Sequence, residues 1–439
     1  MREARRTSAV FLLLGLVAST GGIAGEDGCP TLATGGSLDP IRTDRPASLV
    51  ARLPPGTLRE RLERCLEAAP ARGARTIGHR GAPRRYPEHT RESYQAAARL
   101  GAGVLECDVT ATRDGHLVCR HDACDLHRTT NILETPLATR CRTPFQPAME
   151  RGGGKGRPAV ARCCTVDFGL EELRSLQGRR DAVNPRATSL AAYLAAEPPG
   201  APSACIGGGT LVSHRESIEL FQALGTGMAP ELKGLPGMPA SSPRGEADAR
   251  LLKLADQLVR DYREAGVPPE RVRLQSFDPA VIRHWLATAP EFAHRVVWLD
   301  GRYNLDDFDH RSASAHKVFN DLRKAGLRAL APPVWMLVEA GMGGPEPSSY
   351  ALAARDAGLS LLTWTLERSG SLATGGGWYY QTLNGLNPLP TSSGSYRVRD
   401  DSDQLKLLAV LFDEIGVDGV FTDWAETTAL VDRCAGERL

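Results

Sequence analysis

The chain carries almost no net charge. Over 439 residues, 53 Lys and Arg stand against 52 Asp and Glu, a formal +1. With no global field to draw in nucleic acid or an anionic membrane, any anion site has to be a local cationic pocket. An apolar run long enough to cross a bilayer is missing from the start of the chain, where the run Ala9 to Ala18 spans about ten residues against the ~20 a membrane helix needs. No CxxC pair with zinc-knuckle spacing occurs, and Cys163 and Cys164 are adjacent, a poor geometry for two ligands of one metal. Neither Gly152-Gly153-Gly154 nor Gly375-Gly376-Gly377 opens a helix after a strand, so neither reads as a P-loop. With 42% hydrophobic and 24% charged residues, disorder, collagen and coiled coil are excluded as whole-chain descriptions.

What is present begins with Arg2, Arg5 and Arg6, followed by the Ala9–Ala18 run and small residues through Gly25. This is the three-part layout of a secretory signal peptide, cut after Ala24 or Gly25, so an exported protein, periplasmic or secreted, is expected. All ten cysteines follow the cut, and an even count in an exported chain predicts disulfides. Five of them, from Cys124 to Cys205, fall in one irregular stretch that is expected to be cross-linked. Cys107 lies inside an apolar strand and is expected to be a buried, inert thiol.

Residues 26–73, rich in Pro, Gly and Arg with one helical stretch at Leu58 to Ala68, read as an N-terminal extension. From residue 75, short apolar runs alternate with amphipathic ones. Strands are predicted at Arg75–His79, Val104–Asp108, Met228–Lys233, Val272–Phe277, Arg295–Leu299, Leu327–Ala331, Leu359–Thr365 and Gly419–Asp423. The helix Thr90–Leu100 between the first two has Thr90 as N-cap and Gly101 as its stop. Eight such alternations favour a (β/α)8 TIM barrel over an open doubly wound sheet, with residues 74–432 forming the barrel. Two long interruptions, about 124–210 and 367–401, follow the C-terminal ends of strands. That is where barrel enzymes build their sites, so both are expected to act as lids or walls.

Charged residues stand at the ends of otherwise apolar strands. Glu106 and Asp108 are two apart and share a face, as do Glu231 and Lys233. Buried carboxylates without partners are costly, so a three-carboxylate cluster in a barrel mouth calls for a cation. Hard oxygen ligands suit Ca2+ or Mg2+ better than Zn2+. The Asp114-Gly115 pair predicts a two-residue hairpin turn that pairs position i with 229 − i and sets His121 directly across from Asp108. His79, at the end of the first strand, then flanks the same site. A cation with Arg80 and Lys233 makes a pocket for a phosphodiester, and two imidazoles can divide the proton transfers.

These residues resemble the glycerophosphodiester phosphodiesterase family. The matching elements are His79-Arg80-Gly81, Pro87-Glu88-His89-Thr90, Glu106-x-Asp108, Asp114-Gly115, His121-Asp122, Arg128-Thr129-Thr130, Glu231-x-Lys233, Thr363-Trp364-Thr365 and Val417 to Asp423, in the family's order. The resemblance implies a barrel of the phospholipase C-like phosphodiesterase type; this chain departs from compact members by a far longer insertion after the second strand's hairpin, Cys124 to Thr210, and in that is most similar to the exported type. The resemblance also implies hydrolysis of a small glycerophosphodiester to sn-glycerol 3-phosphate and an alcohol. Carried over by position, Glu106, Asp108 and Glu231 would ligate one divalent cation, and His79 and His121 would be the acid/base pair. Arg80 and Lys233 would hold the phosphate, while Trp364, with Phe277 as a weaker candidate, would pack on the glycerol. Glu88 would brace the first loop. Two further departures are His127 where Asp is common and His89 where Asn is common. The insertion is expected to set head-group preference. The competing readings are a phospholipase C- or D-like enzyme on intact or lyso lipids and a non-catalytic binder of glycerophosphodiesters. Nucleic-acid binding and stable membrane insertion are not expected.

Overall fold

The computed structural model describes residues 39–151, 154–236, 248–385 and 395–435; the predicted signal peptide lies outside them. Eight parallel strands form the barrel: β1 (Gly73–Gly78), β2 (Ala102–Ala111), β3 (Gly227–Leu232), β4 (Gln275–Ser276), β5 (Val297–Leu299), β6 (Ala329–Ala331), β7 (Ser360–Thr363) and β8 (Gly419–Thr422). Each pairs with its sequence neighbour, and β8 returns to β1 with Thr76 beside Val420, closing the sheet. All eight lie where the apolar runs predicted them. Being covered on both faces, they read as short continuous apolar runs and not as alternating ones. Ile77, Val104, Ala229, Val297, Ala329, Leu362 and Phe421 fill the interior. Residues of the opposite pleat, such as Leu105, Met228, Leu330 and Val420, join the larger core outside.

The helix after β1 spans Arg91–Arg99, with the Thr90 side chain accepting from Ser93 N. Its buried face is Ala96, Ala97 and Ala98, small enough for the helix to lie close to the sheet. In the N-terminal region, helices Asp44–Arg52 and Thr57–Glu67 precede the barrel, and Cys65 is disulfide-bonded to Cys434 at the end of the last helix, Ala425–Cys434. No described helix is long and apolar enough to cross a membrane.

Two expectations fail at the hairpin after β2. The return strand Leu117–Cys119 pairs Val109 with Cys119 and Ala111 with Leu117, so position i meets 228 − i. Thr112 N donates to His116 O, which leaves a three-residue loop, Arg113-Asp114-Gly115, with Gly115 at φ 82°. A glycine in the left-handed region ends the three-residue hairpin where a two-residue turn was expected. Arg120, not His121, therefore lies across from Asp108, and its N–H donates to Asp108 O. The second failure is Cys107. It is not a free thiol but is bonded to Cys119, because the returning strand brings the two α-carbons to 5.2 Å.

The first interruption has its own small core, including Leu126, Ile132, Phe168, Leu173 and Tyr193. Disulfides Cys124–Cys164 and Cys141–Cys163 run through it, so the adjacent pair Cys163-Cys164 is split between two partners. In the second interruption, short turns at Leu372–Thr374 and Gly377–Tyr380 carry Trp378 and Tyr379. Gly377 has φ 61°, and a β-carbon there would lie 2.0 Å from Ser369 O, so only glycine lets the chain turn back at this point.

Candidate active site

The acidic cluster follows from strand register. β2 and β3 run parallel with Asp108 beside Glu231 and Glu106 beside Ala229, so residues two apart on β2 share a face with Glu231. Ligand oxygens of Glu106, Asp108 and Glu231 lie within 4.8 Å of one another, and all three residues are buried. Three such carboxylates cannot all ionise freely. Burial, then Asp108 and Glu231, pushes Glu106 well above the usual carboxylate range. Burial pushes Glu231 up to about 8, against the attraction of Lys233. Asp108 stays well below the ordinary value, because Lys233, His89 and His121 outweigh its burial. Asp108 Oδ1 is buried and has no hydrogen-bond partner. A spare oxygen in a cluster of hard, mutually repelling ligands fits a divalent cation, which these three residues could hold.

Cations and bases ring the cluster. Arg80 adopts φ 59°, which turns its N–H onto Glu106 Oε2 at 3.0 Å. Its guanidinium meets Glu88 at 3.1 Å and Asp108 at 3.6 Å, and these carboxylates hold its charge against burial. Glu88 does brace the first loop: it also meets Arg368 at 3.3 Å. Lys233 Nζ is 2.6 Å from Glu231 and 3.9 Å from Asp108, and its pKa is raised despite burial by those same two acids. His79 Nδ1 lies 2.8 Å from Asp423 Oδ1, and its Nε2 is 3.8 Å from Glu106. Burial, then Arg80, lowers His79 to about 4, opposed by Asp423.

The residues expected to hold metal or substrate or to move protons, Phe277 among them, all line one cleft of about 810 Å³; Glu88 stands behind it. His121 reaches it despite the one-residue register error, since the chain leaves the hairpin there and is no longer bound to the pleat. It is half-buried, and burial, then Arg80 and Lys233, hold its pKa well below the ordinary value. Trp364 stands at the end of β7 with its indole N–H donating to Ala331 O at 3.0 Å. It packs against Phe277 at 5.5 Å, Tyr303 at 5.9 Å, Trp378 at 6.0 Å and Tyr379 at 6.0 Å between ring centres. Phe277, Tyr303, Trp364 and Tyr379 thus form an aromatic wall of the cleft that adjoins its charged groups, with Lys233 Nζ 6.0 Å from the centre of the Phe277 ring.

Three residues of the site carried no role in the sequence reading. Asp423 orients His79, and the available signal was its position at the C-terminal end of the eighth strand. His89, buried with φ 55°, bridges Tyr94 Oη at 2.8 Å and Asp108 Oδ2 at 2.9 Å, so the histidine standing where Asn is common supports a carboxylate. Arg368 ties Asp423 (3.1 Å) to Glu88 from the start of the second interruption, and nothing in its surrounding sequence marked it.

Comparison with known proteins agrees with this geometry. The model of the glycerophosphoryl diester phosphodiesterase family matches residues 79–427. A protein of Arthroderma benhamiae named "Extracellular protein" is 33% identical over 262 residues, 58% of this chain and 98% of that protein. The glycerophosphodiester phosphodiesterase of Bacillus subtilis strain 168 is 46% identical over 56 residues, 13% of this chain and 19% of that relative. A solved structure from Silicibacter pomeroyi DSS-3 carrying the glycerophosphoryl diester phosphodiesterase name aligns with a TM-score of 0.51 at 19% identity, over 85% of this chain and 98% of that one, a likeness of fold. With a family match that begins at His79 and runs past Asp423, the chain belongs to the glycerophosphoryl diester phosphodiesterase family and is a phosphoric diester hydrolase.

Proposed function

We propose that the protein hydrolyses glycerophosphodiesters, deacylated phospholipids such as glycerophosphocholine, to sn-glycerol 3-phosphate and an alcohol. One divalent cation, Ca2+ or Mg2+, is held by Glu106, Asp108 and Glu231, and His79 and His121 divide the proton transfers. The observation that carries this reading is the carboxylate triad sharing one cleft with a histidine whose Nδ1 is 2.8 Å from a buried aspartate. When bound, the cation supplies neutralisation of charge on the non-bridging phosphate oxygens.

Asp423 accepts the Nδ1–H of His79, which leaves Nε2 as the proton acceptor facing the cleft. With its pKa lowered to about 4 by burial, His79 is neutral near pH 7 and free to act as a base. It takes the proton of the glycerol hydroxyl beside the phosphoryl group. That oxygen bonds to phosphorus, the bond to the head-group oxygen breaks, and His121 protonates the departing alkoxide. Arg80 and Lys233 are among the groups that keep His121 unprotonated. An anionic phosphate bound beside those two cations offsets their share of the shift, burial being the larger part, and as substrate binds His121 takes from solvent the proton that it then gives to the alkoxide. Water then opens the cyclic phosphate with the two roles exchanged.

Export is part of the same reading. Four described disulfides favour an oxidising compartment, and the Arthroderma benhamiae relative bears the name "Extracellular protein". The deciding assay is a panel of glycerophosphodiesters, with intact and lyso lipids alongside, incubated with Ca2+ or Mg2+ and with EDTA. Metal-dependent release of glycerol 3-phosphate is expected. No release from any glycerophosphodiester by metal-loaded protein overturns the reading, and preferential cleavage of intact lipids replaces it with the phospholipase one.

A further inference from the structure

The opposite end of the barrel holds a second, solvent-open cavity of about 260 Å³, floored by Val297, Ala329 and Leu362. Its rim is made chiefly by residues that lead into four of the barrel strands. Arg273 precedes β4, Arg295 precedes β5, Arg328 precedes β6 and Asp418 precedes β8, while Arg323 comes from the last turn of the helix Ala313–Lys324. Four guanidinium groups and His294 thus share a rim with Asp418, and Glu270 also acts electrostatically on Arg295; the Asp418 carboxylate already accepts a hydrogen bond from Ser360 Oγ.

The arginines have weak local partners. Arg328 Nη1 donates to Arg323 O at 3.3 Å, Arg323 Nη1 to Leu327 O at 3.3 Å and Arg273 Nη2 to Asp418 O at 3.4 Å, all neutral carbonyls at long range. Cations near helix C-termini complement the helix dipole, which accounts for Arg323. It does not account for Arg295, whose Nε is buried without a hydrogen-bond partner. The crowding is felt electrostatically: burial, then Arg295, lowers Arg273 to about 10. Planar guanidinium groups with free donors match the oxygens of a phosphate in pairs. The volume lies below the ~300–1,000 Å³ of sites for drug-sized ligands, so the ligand is small.

We propose that this cavity is a binding site for a small phosphate-class dianion, inorganic phosphate or a simple phosphate monoester, held chiefly by Arg273 and Arg295. The site is separate from the catalytic mouth at the other end of the strands and does not depend on which diester is cleaved there.

The test is chemical protection of the wild-type protein. Phenylglyoxal modification of Arg273 and Arg295, read by peptide mass spectrometry, is followed in inorganic phosphate, in sn-glycerol 3-phosphate and in sodium chloride at matched ionic strength. Slower modification of both residues in either phosphate arm is expected, and the arm that protects identifies the ligand as the free ion or the monoester. Equal rates in all three solutions overturn the proposal. In parallel, calorimetric titration with the protecting ligand uses a Lys233→Ala background, which weakens binding at the mouth. There, Arg273→Gln with Arg295→Gln should weaken the remaining site at least about tenfold, the scale of one charge-assisted hydrogen bond. The same two substitutions on the wild-type background should leave diester turnover unchanged. Unaltered affinity in the folded double variant also overturns the proposal, and if that variant does not fold, the protection experiment alone decides.

Discussion

In the barrel, seven of the eight strands send apolar side chains into a shared interior, and β4 contributes Gln275, whose amide lies 3.4 Å from Glu106. Between Cys124 and Cys164, by contrast, the longest described strand has four residues, and two disulfides run through a small separate core. The closed sheet spreads its stabilisation over many main-chain bonds and therefore tolerates buried carboxylates, arginines and histidines at its mouth. The insertion has too few regular elements for that and depends on cross-links. Chemistry and shape are thereby divided in the main: the acidic cluster with Arg80 and Lys233 stands on the barrel, and the wall beside it is attached by covalent bridges. Asp122, Ala123, Cys124 and Arg162 reach the same cleft from the insertion's side.

The largest effect is expected from breaking the barrel's acidic cluster. Glu106→Ala should abolish metal affinity and lower turnover by roughly a thousandfold or more, the range of a lost electrostatic stabiliser. His121→Ala should lower turnover by about 10²- to 10⁴-fold while metal affinity stays as in the wild type. Direct metal titration beside a glycerol 3-phosphate assay separates the two. Equal loss of metal in both variants would show that His121 belongs to the ligand set and not to the proton path.

A smaller effect separates barrel from insertion. Replacing Cys124 and Cys164 with Ser opens a loop of sequence separation 40, and replacing Cys141 and Cys163 opens one of 22. Chain entropy assigns each bridge about 3–4 kcal/mol, lost from the insertion. Limited proteolysis should then cut within residues 125–210 while the barrel's circular dichroism persists, and the KM for diester should rise more than kcat falls. Cooperative loss of the whole fold would mean that the insertion and the barrel share one stability.

The barrel was legible because its strands are short apolar runs bounded by polar or Gly residues, a pattern set by burial on both faces. The candidate site was legible where charge interrupts such a run, as at Glu106, Asp108 and Glu231. Legibility ended where a result depended on a single backbone angle or a distant partner. Gly115 in the left-handed region shifted the hairpin by one residue, which moved Arg120 opposite Asp108 and brought Cys119 to Cys107. Asp423 and Arg368 act through ion pairs with residues hundreds of positions away, and local pattern carries no trace of such pairs. The insertion's core is built from residues such as Phe168 and Tyr193 on segments too short to show periodicity.

The smallest expected effect concerns the second interruption. Trp378 is 39% exposed, stacks on Trp364 at 6.0 Å and lies 5.1 Å from Tyr303 between ring centres. Its ring contacts are with Tyr303, Trp335, Trp364 and Tyr379, behind the acidic cluster and histidines that carry the chemistry, so Trp378→Ala should leave kcat and metal affinity near wild type. Loss of one aromatic contact, about 0.5–1.5 kcal/mol, predicts a KM raised by roughly two- to tenfold. The dependence on head group is the informative part. If the aromatic wall holds the glycerol common to all substrates, the KM for glycerophosphocholine and glycerophosphoethanolamine should rise by the same factor. A rise confined to one of them would assign this wall to the leaving group, and the cysteine-linked insertion would then lose its expected role in choosing it.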